Sequence, residues 1–145
     1  MMGAKPKNET GRPVAESTRR REAYFLEYAK TMRAAARMPV MVTGGFRSRA
    51  VMDEALAKGE LDMIGLGRPM CVDPDLPARL FSREWSQARS YERGIDPAKA
   101  GLGWFCMQMI RIGNGLEPMR EMTGAQALVA YAENEERTAQ ALLGR

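Results

Sequence analysis

The chain predicts a parallel α/β fold, and three features of residues 39–69 predict it. Val40-Met41-Val42 and Leu61 to Leu66 are short apolar runs of the kind that form strands buried in a parallel sheet. A stretch with one apolar stripe at helical spacing separates them, and each run is followed at once by a glycine-arginine loop. In a parallel unit both strands end at the same edge of the sheet, so Thr43-Gly44-Gly45-Phe46-Arg47 and Gly65-Leu66-Gly67-Arg68 are expected side by side. Glycines let backbone N–H groups approach an anion, a following helix N-terminus adds partial positive charge, and arginine grips phosphate with two hydrogen bonds. (β/α)8 barrels commonly bind phosphate with the loops after strands 7 and 8, so the expected fold is a partial TIM barrel, its last two β/α units followed by helices.

Taken in order, residues 1–17 mix Gly, Pro, Lys, Asn and Glu without periodicity and read as a mobile leader. From Thr18 to Arg37, Tyr24, Tyr28, Met32, Ala35 and Ala36 recur at helical spacing and mark the expected buried face of an amphipathic helix, which Pro39 ends. The first strand, expected to be buried on both faces, then leads into a helix that Ser48 can cap. Its stripe is Val51, Met52, Ala55 and Leu56, and Gly59 supplies a left-handed stop. Asp62 stands at the entry of the second strand, with Met63, Ile64 and Leu66 carrying its buried surface. Asp73-Pro74 predicts an N-cap and a helix to about Trp85. Ser90 to Gly103 reads as an irregular excursion. Trp104 to Ile112, apolar on nearly every face, predicts a buried helix stopped by Gly113-Asn114-Gly115. Thr123 and Gln126 fit a capping box for a last helix with Leu128, Tyr131, Ala132, Ala139, Leu142 and Leu143 inward. The domain organisation that follows is leader 1–17, β/α units with the phosphate site 18–86, and helical extension 87–145.

A complete barrel takes roughly 200 residues or more, so a chain of 145 residues accommodates only part of one. No run approaches membrane-spanning length and residues 1–21 lack the apolar core of a secretory signal, so a cytoplasmic address is expected. The net charge of +4 is partly concentrated in Lys5, Lys7, Arg12 and Arg19 to Arg21. No aromatic residue interleaves with these charges to stack on bases, which argues for a solvated segment and against nucleic-acid binding. Cys71 and Cys106 form no CxxC and the chain has no histidine, so both read as structural free thiols.

Each candidate residue also has a plain explanation. Gly44, Gly45, Gly65 and Gly67 could each serve a tight turn, and it is the joint pattern with Arg47 and Arg68 that points to an anion. Arg68 is the sharper candidate, because Pro69 behind it is expected to hold its backbone extended and so fix where the guanidinium emerges. Arg47 stands equally well as a phosphate contact or as a surface charge at the helix entry. Asp53 and Glu54 are adjacent on a helix and point in different directions, which suits solvation rather than acid-base work. Asp73 and Asp75 are accounted for as cap and first-turn charge. Trp104, Phe105, Met107 and Met109 could line a planar cofactor, but core filling is the simpler reading. No set of metal ligands and no nucleophile-base pair is present, so no catalytic residue is assigned.

VMVTGGFRS, followed by MDEALAKGELDMIGLGRPMCVDPDLPARL, closely resembles the last two β/α units of the Old Yellow Enzyme family of NAD(P)H-dependent flavin oxidoreductases, including its 2,4-dienoyl-CoA reductase-like members. EAYFLEYAKTMRAAARMPV resembles that family's segment leading into strand 7, and GLGWFCMQMIRIGNGLEP a C-terminal extension of some bacterial members. The resemblance implies an FMN-binding barrel. By position, Gly44, Gly45 and Phe46 would offer the backbone after strand 7, Gly67 a backbone N–H, Arg68 a charged contact to the flavin phosphate, and Arg47 a further contact. In such enzymes NADH or NADPH reduces FMN, and the flavin passes hydride to an activated alkene or related acceptor.

The same resemblance implies that strands 1 to 6, with their substrate-binding histidine pair and tyrosine proton donor, have no counterpart ahead of Tyr24. Catalysis would then need strands supplied from elsewhere. Exposed strand edges make a complementary fragment or self-association the expected partner. A non-enzymatic phosphate- or nucleotide-binding module, or a remnant without ligand, is the alternative reading.

Overall fold

Alternation of strand and helix in the first half of the chain produces a two-stranded parallel sheet. The computed structural model describes the backbone of residues 16–144 and the side chains of residues 26–144. The expected leader up to residue 15, the basic side chains up to Arg21 and the side chain of Tyr24 lie outside the described residues. Helix α1 (Glu16–Ala35) is followed by β1 (Met41–Thr43), α2 (Arg49–Ala57), β2 (Met63–Gly65), a 3-10 turn at Arg68–Cys71 and α3 (Leu76–Phe81). The strands pair in parallel with Met41 opposite Met63, Val42 opposite Ile64 and Thr43 opposite Gly65. Gly59, at φ +66°, ends α2 in the left-handed conformation that glycine adopts at least cost. Ser48 takes the N-cap position, but its side chain does not make the expected capping bond.

Residues 16–70 together with 75–89 form one unit. Its core joins Phe46, Met52, Ala55, Leu61, Leu76, Leu80 and Ala88, with Val42 and Ile64 packed against it. Successive strand residues point to opposite faces, so this core covers one face of the sheet and leaves Met41 and Met63 more than half exposed. The expectation of strands buried on both faces, with Met63 among the buried residues, is corrected accordingly.

The buried face of α1 also differs from the predicted one. Ala29 is buried, whereas Tyr28 and Met32 are exposed. Lys30 pairs with Glu60 at 3.0 Å and Arg33 with Asp62 at 3.0 Å, which fixes the rotation of the helix about its axis. Asp62 Oδ2 also accepts the Val40 N–H at 2.8 Å, tying the entries of the two strands together. Helix α3 is shorter than expected. It starts after Asp75, not Asp73, and stops at Ser82 because Arg83 turns left-handed at φ +64°.

Cys71–Pro74 and residues 90–144 form a second unit. Short 3-10 turns at Tyr91–Gly94 and Ala98–Ala100 precede α4 (Gly101–Gly113) and α5 (Gly124–Leu143). Val72, Trp104, Phe105 and Ala127 make its core, which is the simple filling role read for Trp104 and Phe105. Helix α4 is not buried all round, since Leu102 and Met109 face outward. Gln108 is fully buried: its side-chain oxygen accepts the Met119 N–H at 2.7 Å and its amide donates to the Met119 carbonyl at 3.2 Å.

The capping box forms as expected, with Gln126 N–H donating to Thr123 Oγ1 and Thr123 N–H to Gln126 Oε1. Only the first half of α5 packs. Ala127 is buried and Leu128 and Tyr131 are half-buried, while Ala132, Ala139, Leu142 and Leu143 are exposed, against the prediction.

Candidate functional site

The register of the sheet positions the site. Because Thr43 stands opposite Gly65 in a parallel pair, the segments that follow, Gly44 to Arg47 and Leu66 to Arg68, leave from the same edge. Gly44 and Gly45 both have positive φ, +117° and +76°, so the chain turns through conformations that a side chain would strain. Phe46 then plunges into the core, the whole residue being 1 % exposed. Its side chain anchors the loop.

An element that the sequence reading missed holds the other side of this loop. Arg49 N–H donates to the Ser86 carbonyl at 2.9 Å, Ala88 N–H donates to the Arg47 carbonyl at 2.8 Å, and Ser48 forms an antiparallel bridge with Gln87. Residues 47–49 are thereby fixed by 86–88. Nothing in Ser86-Gln87-Ala88 resembles a strand or turn signature, so the pairing was not legible from its local sequence. Beside it, the guanidiniums of Arg79 and Arg89 stand over the Trp85 ring, 4.9 and 4.3 Å from its centre.

The second loop is short and open. A Cβ placed on Gly67 would meet nothing within 4 Å, so the backbone there is accessible to a ligand. Arg68 opens the 3-10 turn instead of lying in an extended stretch, and Met70 N–H closes that turn on the Gly67 carbonyl at 2.8 Å. The buried ring of Pro69 fixes it. Arg68 itself is exposed and, among the described residues, is held in no ion pair. Arg47 is half-buried and already engaged, which distinguishes the two arginines.

Gly65 has a separate, structural reason to be glycine. A Cβ there would fall 1.9 Å from Thr43 Oγ1 and 2.8 Å from Thr43 Cβ. The strand ends can pack this closely only without a side chain at residue 65.

The second unit contains a buried carboxylate whose role differs from the predicted cap. Asp73, 3 % exposed, accepts the Tyr91 hydroxyl at 2.7 Å and Arg120 Nη2 at 3.2 Å. This triad fixes the Tyr91 ring, which stacks on Trp104 with centroids 5.9 Å apart. Cys71 and Cys106 are both free thiols, and burial pushes the Cys71 thiol above its ordinary pKa, with Cys106 adding to the shift. Among the described residues no group of three His, Cys, Asp or Glu could hold a metal ion, and no helix is long and apolar enough to cross a membrane.

Residues 7–84, more than half of the chain, match the NADH:flavin oxidoreductase / NADH oxidase family. The chain belongs to this family. Among curated relatives, the NADH-dependent flavin oxidoreductase iccE of Talaromyces variabilis is 47 % identical over 57 residues, 39 % of this chain and 14 % of the relative. The NADH-dependent flavin oxidoreductase iliE of Hypocrea jecorina is 40 % identical over 90 residues, 61 % of this chain and 22 % of the relative. The NADH-dependent flavin oxidoreductase nadA of Aspergillus parasiticus is 33 % identical over 125 residues, covering 80 % of this chain and 26 % of the relative. The chain thus spans about a quarter or less of the length of the relatives it matches. The family implies flavin as cofactor and NADH dependence in its full-length members. All six residues predicted for the flavin phosphate fall inside the matched region, as do the two strands.

Proposed function

We propose that the two glycine-arginine loops form one site for the phosphate of FMN, and that the chain is the phosphate-binding part of an NAD(P)H-dependent flavin oxidoreductase of ene-reductase type. On this reading the sheet is a piece of a (β/α)8 barrel, and residues 87–145 are a helical extension to it. Gly44, Gly45 and Phe46 offer backbone N–H groups from one loop and Gly67 from the other. Arg68 supplies the charge-assisted contact, and Arg47 borders the site with its backbone fixed by residues 86–88.

The observation that carries the proposal is the parallel register of Thr43 with Gly65, which sends both loops out of one sheet edge. The residues fit the group: paired positive φ at Gly44 and Gly45, open space over Gly67 and an exposed guanidinium at Arg68 suit a dianion rather than an apolar ligand. Bound flavin would supply hydride transfer from NADH or NADPH to an electron acceptor. The side chains described here hold its phosphate and do no chemistry themselves, so turnover needs the strands that cradle the ring and the acceptor.

Titrating FMN, riboflavin and inorganic phosphate into wild type and Arg68→Ala tests the reading. FMN should bind more tightly than riboflavin, and loss of the guanidinium should weaken FMN by about one to two orders of magnitude, the equivalent of ~1.5–3 kcal/mol. Equal affinity for riboflavin and FMN, or an Arg68→Ala variant that binds FMN unchanged, would refute it.

A further inference from the structure

The pairing of residues 86–88 with 47–49 carries a further arginine to the first loop. Ser48 and Gln87 form an antiparallel bridge, and Ala88 N–H donates to the Arg47 carbonyl at 2.8 Å. The next register position sets Arg89 level with Phe46 of that loop, and opposed residues of an antiparallel pair have Cα atoms about 4.5–5.5 Å apart. The Arg89 guanidinium rests over the Trp85 ring, 4.3 Å from its centre, and Trp85 packs against the core that holds Phe46. Arg79 shares that ring, but Asp75 and Glu84 engage its guanidinium at 2.6 and 2.5 Å. Arg49, on the facing segment, pairs with Asp53 at 3.3 Å, and Arg47 is already engaged. Arg89 is exposed and, among the described residues, makes no ion pair. Arg68 and Arg89 thus both bring to the loops a guanidinium that no described carboxylate pairs.

We propose that Arg89, held on Trp85, is a specificity-determining residue that makes the site select the dianion of a phosphate monoester over its monoanion. The inference rests on the phosphate site proposed above. A phosphate monoester carries about −1.5 to −2 charge at pH 7, with a second pKa of about 6. One guanidinium balances the monoanion, whereas Arg68 and Arg89 together match the dianion. Stacking on Trp85 restricts the Arg89 side chain before a ligand arrives, so less freedom is lost on binding. The charged groups around Arg89 are Arg47, Arg49, Arg79, Asp75 and Glu84, arginines and carboxylates, types whose ordinary pKa values lie outside the range from about pH 5 to about pH 7.5. The chain has no histidine, so across that range the phosphate's second proton is the one that titrates.

The test is calorimetric titration of FMN and riboflavin into the full chain at about pH 5 and about pH 7.5, at constant ionic strength. The dianion fraction rises about tenfold between these values for a pKa of about 6, so wild type should bind FMN about five- to tenfold more tightly at the higher pH. Riboflavin should bind equally at both. Arg89→Met, at an exposed position, should keep the circular dichroism of wild type and reduce the gain to about twofold or less, and Arg89→Lys, which restores the charge, should recover it. Arg37→Met removes the same charge from an exposed position ahead of β1, at the end of the strand away from the loops, and should leave the gain intact. A wild-type gain in Arg89→Met, a loss that Arg89→Lys does not recover, or an equal loss in Arg37→Met would overturn the proposal. Failure of the phosphate site itself reads differently, as an Arg68→Ala variant that binds FMN unchanged. If Arg68→Ala weakens FMN while Arg89→Met keeps the wild-type gain, the phosphate site stands and the role of Arg89 alone falls.

Discussion

Replacing Gly65 by Ala should destabilise the first unit and disturb the phosphate loops together. The added Cβ would sit 1.9 Å from Thr43 Oγ1, 2.7 Å from Met41 Cε and 2.8 Å from Thr43 Cβ. The methionine end can swing away and the threonine hydroxyl can rotate, but Thr43 Cβ is fixed to its backbone. Relief therefore requires the two strand ends to separate. Overpacking of this kind costs typically about 1–3 kcal/mol, partly offset by the ~0.5–1 kcal/mol that Ala gains over Gly in a strand, leaving a net loss centred on about 1 kcal/mol and at most about 2.5 kcal/mol. Urea unfolding reads this as a lower midpoint at constant m-value. Thr43→Gly in the same chain removes both contacting threonine atoms, so a double-mutant cycle should show coupling of about 1 kcal/mol. The separation should also weaken FMN binding, because both loops leave from this pair. A Gly65→Ala protein as stable as wild type, or one destabilised equally with and without Thr43, would refute the reasoning.

Other consequences are equally specific. Asp73→Ala leaves the Tyr91 hydroxyl and Arg120 without their shared acceptor, and should cost about 1.5–3 kcal/mol with a loss of near-ultraviolet circular dichroism from the Tyr91–Trp104 stack; an unchanged spectrum would contradict the anchoring role. Thr123→Ala removes the acceptor half of the capping box and should cost ~1 kcal/mol in thermal unfolding, an effect absent if α5 needs no cap. Burial raises the Cys71 thiol in the folded chain above the 9.0 of a free thiol. Its neutral form is therefore favoured by folding, and the stability it contributes is complete below pH 9.0 and lost as pH rises through the folded value. Unfolding measured across that range should fall less steeply for Cys71→Ser than for wild type.

What the sequence made legible is what short-range chemistry decides. The two apolar runs, the helix between them, the left-handed stop at Gly59 and the Thr123–Gln126 capping box all depend on neighbours within a few residues, and all appear in the structure. Burial depends on distant partners and was less legible. Met63 matched a buried strand residue, yet its face of the sheet is uncovered, and Leu142 and Leu143 continue an apolar stripe past the point where α5 has anything to pack on. Asp73 illustrates the same limit at a polar residue. Its place before proline fits a helix cap, but its partners stand 18 and 47 residues away. The candidate site divides along this line too, since the glycine loops announce themselves locally, whereas their fixing by residues 86–88 and the Thr43–Gly65 contact are tertiary.

The shared anion site is tested most directly by recording backbone amide resonances of the 15N-labelled chain while FMN is added. The account predicts that the amides of Gly45, Phe46, Gly67 and Arg68 shift together with one common affinity, and that inorganic phosphate moves the same set. Shifts confined to one loop, two loops titrating with different affinities, or FMN shifts that spare both loops would contradict it.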